Sequence, residues 1–203
     1  MKRKNIGLIS VIAATALVFT FVIVFVFAKY VQKDTLTGTA NISAKLGNIE
    51  LLESKAIKND DGSYTLDVND PVTSNEYSVV LPGYDIPKDP YVKITNKSSI
   101  PAYVYVEVVD TNLEAAKITY EIASNWKLIE GVTGQNGGDL YVYVTSVVND
   151  ENRIEILKEN KIIVSQKLDK NATDLNLSFY AYMAETASGA DAKAAYQNTF
   201  ATP

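Results

Sequence analysis

Residues 79–94 read VVLPGYDIPKDPYVKI, with Pro82, Pro87 and Pro90 inside nine residues and apolar, β-rich runs on either side. A sortase signal would need Thr in the motif, an apolar tail and a position near the C-terminus. Here LPGYD stands mid-chain without the Thr. As an active-site loop the stretch offers Asp85, Asp89 and Lys88 with no evident partner. As a turn it reads well. Pro82-Gly83 suits the two central positions of a type II turn, where Gly tolerates positive φ. Pro87 and Pro90 cannot donate ladder hydrogen bonds and belong at an edge or a strand entry. The expectation is therefore strand, tight turn, guarded crossing, then a strand over 91–96.

The flanks extend that pattern. Short runs rich in Val, Ile, Tyr and Thr recur along the chain: 37–54, GSYTLDV, EYSVVL, PYVKIT, PAYVYVEVVD, KITYEIA, DLYVYVTSVV, RIEILKENKIIVSQKL and DLNLSFYAYMAE. Such runs favour strands. Turn residues punctuate them at 59–62, 96–99, 134–138 and 149–152. With no long helix between the runs, the pattern predicts an all-β antiparallel sandwich rather than βαβ units. Only SGADAKAAYQNTF reads as a short C-terminal helix, with Ser188 as its expected N-cap.

The N-terminus differs from the rest. Lys2, Arg3 and Lys4 precede an uncharged run from Asn5 to Ala28. A basic start followed by a long apolar stretch is an export signal, and this one is long enough to span a bilayer. Small or medium residues at Val26 and Ala28 suit cleavage between Ala28 and Lys29. Residues 1–28 are thus a signal peptide or a membrane anchor, 29–39 a polar N-terminal arm, and 40–203 the β-sandwich domain. Any contact with the membrane is expected through residues 5–28 alone, if they are retained. Basic residues before the span place the chain beyond it outside the cytoplasm.

Composition narrows the chemistry. The chain has 203 residues with no His and no Cys. Disulfides, thiolate nucleophiles and His-based triads are excluded. A catalytic zinc normally takes His or Cys ligands, so no catalytic, metal or cofactor site is expected. Asp60, Asp61, Asp67 and Asp70 lack the spacing of an EF-hand loop, and Asp61-Gly62 reads as a hairpin turn. Beyond residue 28 there remain 16 Lys and Arg against 24 Asp and Glu. Nucleic acid is a poor partner for that surface.

Two segments look alike, AYVYVEVV (102–109) and LYVYVTSVV (140–148). On a strand Tyr103 and Tyr105 share one face, as do Tyr141 and Tyr143. Two readings stand: central strands with Val inward and Tyr at the margin, or an exposed Tyr ladder serving as an interface.

The segment LPGYDIPKDPYVKITNKSSIPAYVYVEV (81–108) resembles the TasA/camelysin family of exported proteins. The likeness continues through TGTANISAKLGNIEL, NWKLIEG, GGDLYVYVTSVV, EILKENKIIVSQKL and LSFYAYMAETASGADAKAAYQ. The resemblance implies a jelly-roll-like sandwich behind a signal peptide removed by a SipW-type signal peptidase. It implies a bacterial, secreted or cell-surface protein that builds biofilm matrix fibres with itself or with another matrix protein. It also implies that the freed arm, with Tyr30, Val31 and Leu36, adds as a strand to the next subunit. A membrane-tethered binding module is the alternative. The metallopeptidase activity attributed to camelysin is not expected in a chain without His.

Overall fold

In the computed structural model the described residues are 46–200, apart from 79, 98 and 170. The expected signal or anchor, the Ala28–Lys29 bond and the arm with Tyr30, Val31 and Leu36 all lie outside them. Eleven strands run through the described chain. A hairpin opens it: β1 (Asn48–Lys58) and β2 (Tyr64–Val72) are antiparallel. Its turn forms as expected, with Gly62 N–H donating to Asn59 C=O at 3.0 Å and Gly62 at φ 85°.

The opening stretch also behaves as a turn. Tyr84 N–H donates to Leu81 C=O at 3.1 Å, and Gly83 sits at φ 78°, the geometry of a type II turn. After it, β3 (Ile86–Pro87) is a short edge strand and β4 (Tyr91–Thr95) begins directly past Pro90. There follow β5 (Ala102–Thr111), a single helical turn α1 (Leu113–Ala116), β6 (Ile118–Ile122), β7 (Trp126–Thr133) and β8 (Asp139–Tyr143). The chain ends with β9 (Glu151–Glu155), β10 (Leu157–Val164), β11 (Asn176–Glu185) and α2 (Ala192–Phe200).

All pairings are antiparallel, in the orders β2-β1-β4-β9, β3-β10-β6 and β11-β5-β8-β7. Ile156 joins the first two sheets: its N–H donates to Pro90 C=O and its C=O accepts from Ala123 N–H. One strand therefore passes from one sheet into the other. The main core is shared across all three sheets by Leu51, Val92, Ile94, Val104, Val106, Val108, Ile118, Ile154, Leu177, Phe179 and Met183. Burial of this apolar surface is the principal stabilising term. The molecule is an all-β antiparallel sandwich with one short C-terminal helix.

Two local expectations are corrected. The described residues of EYSVVL form no strand, and Glu76 stands in an isolated bridge. Side chains satisfy the neighbouring backbone instead. Asn75 Oδ1 accepts from Ala56 N–H at 2.7 Å and its Nδ2 donates to Ser54 C=O at 2.8 Å. Tyr77, fully buried, donates its hydroxyl to Pro87 C=O at 2.8 Å. The C-terminal helix starts later than Ser188 implied. Asp191 is its cap, its carboxylate accepting from Ala194 N–H at 2.8 Å, while Ser188 ends a 3-10 turn.

Candidate functional site

The two Tyr-Val-Tyr segments pair with each other, but one residue out of step. Tyr105 stands opposite Val142, and Val106 opposite Tyr141. Directly opposed residues share a face, so a one-residue offset sends the two Tyr pairs to opposite sides of the sheet. Tyr141 and Tyr143 lie half-buried against the main core, with Tyr143 5.4 Å from Trp126. Tyr103 and Tyr105 point the other way, toward α2. The four tyrosines do not form one ladder.

That second face is closed by the C-terminal helix. Tyr105 is 0% exposed and donates its hydroxyl to Ala192 C=O at 2.8 Å. Its ring packs 5.2 Å from Tyr196, and Tyr182 packs 5.4 Å from Phe200. Leu140, Val142, Ile129 and Ala184 complete this second cluster. Tyr105 is therefore a core residue with no surface to offer a partner, whereas Tyr103 is half-buried beside it. Burial pushes the Tyr105 and Tyr182 hydroxyls up and raises Tyr196 to about 12.

Glu107 is fully buried on the same face of β5. Its Oε1 accepts from Asn136 N–H at 2.7 Å and Gly138 N–H at 2.9 Å. Its Oε2 accepts from Asn136 Nδ2 at 2.9 Å and the Tyr182 hydroxyl at 2.6 Å. Four donors answer one carboxylate, which pins the 134–138 turn to the sheet. A Cβ on Gly134 would lie 2.2 Å from the Glu107 carboxyl carbon, so this turn needs its glycine.

Sheet edges are the second feature with functional content. On β2, Val68 is 67% exposed, but Asp67, Asp70 and Pro71 guard that edge. Lys55 pairs with Asp70 at 2.8 Å there, and Asp61 accepts from Ser63 in the turn, so these acids serve the hairpin. β11 is different. It ends its sheet and bonds only to β5 among the described residues, yet seven of its ten side chains are buried. Its outer backbone edge has no strand partner among the described residues.

The third feature is a charge cluster within the sandwich. Lys88 Nζ contacts Glu53 Oε2 at 2.6 Å, with both side chains at most 1% exposed. One residue further along each segment, Asp89 accepts from Ser54 N–H at 2.8 Å and from Ser54 Oγ at 2.6 Å. Arg153 forms an ion pair with Asp89 and lies over the Tyr91 ring, 4.1 Å from its centroid. Pro90 explains the arrangement: it has no N–H, β4 starts beyond it, and the Asp89 carboxylate takes up the β1 donor where the ladder stops. Burial lowers the Lys88 ammonium from its ordinary range. Sequence reasoning set Lys88 and Asp89 aside because no partner was evident, and the partners Glu53 and Ser54 lie thirty-five residues upstream. The only hint was their place between two prolines.

A depression of about 200 Å³ is lined by Glu121, Lys158, Glu159, Lys161 and Ile163. Its charges neutralise one another, Lys158 with Glu121 at 2.6 Å and Lys161 with Glu159 at 3.0 Å. Among the described residues no three His, Cys, Asp or Glu side chains gather in a group able to hold a metal ion. No helix of the described residues is long and apolar enough to cross a membrane. Comparison with family models, curated proteins and solved structures returned no match.

Proposed function

We propose that this chain is an exported structural subunit of a bacterial extracellular matrix, built into fibres by strand addition and without a catalytic site. On this reading the sandwich is of jelly-roll type, and residues 1–28 are a signal helix removed by a signal peptidase. The resemblance to the TasA/camelysin family supports it. The observation that carries it is the outer edge of β11. Alternate residues of this ten-residue strand turn their N–H and C=O groups to that edge, and the arm 29–39 is eleven residues long. An arm entering from a neighbour satisfies the edge N–H and C=O groups and presents Tyr30 and Leu36 to one face of the sheet and Val31 to the other. The partner is then a second copy of the chain or a related matrix protein at the cell surface.

Negative-stain electron microscopy of protein beginning at Lys29 tests this. Regular fibres are expected, and a version lacking residues 29–39 is expected to stay a folded monomer. Normal assembly of the shortened protein would refute the arm mechanism. A persistent monomer from Lys29, with full-length chain recovered in membranes, favours a tethered binding module instead. Chelator-sensitive casein cleavage that copurifies with the protein would restore the peptidase reading.

A further inference from the structure

The geometry points to a self-formed amide cross-link between the Lys88 amine and the Glu53 carboxyl. The cross-link is independent of fibre assembly and rests on the cluster between β1 and the entry to β4. Nζ and Oε2 lie 2.6 Å apart. The carboxyl carbon is one bond beyond that oxygen, so a rotation of the carboxyl group presents it to the amine for attack. Tyr77 and Phe179 rings sit 5.8 Å and 6.0 Å from Nζ, and the Lys88 side chain is fully buried. Glu53 Oε1 is buried with no hydrogen-bond partner, which leaves a carboxylate poorly served in its charged form. Burial likewise disfavours the Lys88 ammonium. The Ser54–Asp89 contacts hold the two segments in register beside the pair.

The chemistry balances without an added reagent. The ammonium gives a proton to the carboxylate across the short contact, leaving a neutral amine and a neutral acid. The nitrogen lone pair attacks the Glu53 carboxyl carbon, the C–N bond forms, and the carbonyl pair moves to oxygen. A proton from nitrogen passes to the hydroxyl. The C–O bond then breaks, the carbonyl re-forms and one water leaves. Two buried charges become one neutral amide. With the site closed to solvent, the water needed for reversal is kept out.

The bond ties positions 35 apart in sequence, in a chain without cysteine. It does for this domain what a disulfide does elsewhere, by restricting the unfolded chain. The test is the intact mass of the denatured full-length protein, followed by tryptic mapping. The expected mass is one water below that of the sequence from whichever N-terminus is present. The digest should contain a branched species joining 46–55 to 59–93, uncut after Lys88, and Glu53→Ala or Lys88→Met should each restore the full mass. The mapping is read on the unaltered chain, so it holds even if a variant fails to fold. Full sequence mass with normal cleavage after Lys88 overturns the proposal, and so does water loss mapped to any other position.

Discussion

Replacing Glu107 by Gln tests whether one buried carboxylate organises the second face of the sheet. The side chain keeps its shape but loses its charge. Its remaining oxygen can still accept from Asn136 N–H and Gly138 N–H, the two donors now on Oε1. The new amide group then faces Asn136 Nδ2, donor against donor, and Tyr182, whose hydroxyl must turn to accept. One hydrogen bond is lost and three lose charge assistance. Bonds to charged groups contribute about 1.5–3 kcal/mol each and neutral ones about 1. Together these give about 3–9 kcal/mol, offset in part because a neutral side chain is easier to bury than a charged one; the lower end, about 3 kcal/mol, is roughly 6–12 °C in Tm for a domain of this size. Urea unfolding followed by the single tryptophan reads it directly. Trp126 is buried at 6% exposure and donates its indole N–H to Glu155 C=O at 2.7 Å. Hydrogen exchange at the Asn136 and Gly138 amides should rise together with the loss. A change below about 0.5 kcal/mol, the range of ordinary surface substitutions, with those amides still protected, would refute this account of the turn.

The remaining expectations concern the tyrosines and the opening turn. Tyr196 titrates in the folded protein at about 12, against an ordinary value near 10. The folded state thus keeps a proton that the unfolded chain releases. This stabilisation is complete below about pH 10 and is lost as pH rises through 12. Tyrosinate absorbance should rise in two stages, the exposed rings first and Tyr77, Tyr105, Tyr182 and Tyr196 only with loss of the near-ultraviolet dichroism. A single smooth titration with the fold intact would contradict their burial. Gly83→Ala places a side chain at φ 78° and its Cβ 2.9 Å from Gln166 Cγ. It should cost about 1–2 kcal/mol, seen as a lower urea midpoint, and no change in that midpoint would mean the turn relaxes freely.

Local rules carried most of the strand pattern. Alternation located β4 and β5, Pro82-Gly83 gave its turn, and Asp61-Gly62 gave the first hairpin. The failures share a cause in long-range pairing. The likeness of 102–109 to 140–148 left two readings, central strands with marginal tyrosines or one exposed tyrosine ladder. The register between β5 and β8 is offset by one residue, and sequence likeness says nothing of register. Tyr105 reads as marginal until α2, nearly ninety residues on, covers it. EYSVVL had strand composition, but Asn75 and Tyr77 supply by side chain the hydrogen bonds that a ladder would have made. Lys88 was illegible for a related reason. Its burial depends on Glu53, thirty-five residues upstream.

The placing of α2 sets a rule for how the molecule can come into being. The last strand, β11, pairs across the chain with β5, and the Glu107–Tyr182 contact spans 75 residues. The final nine described residues then seal the aromatic face that β5 made long before. A chain delivered N-terminus first holds that face wet until Phe200 has emerged. Contacts so distant are slow to form and leave apolar strand exposed in the meantime. Time, rather than stability, is then the quantity at risk: the interval between making Tyr105 and covering it is a window in which a neighbouring chain could take the place of the helix.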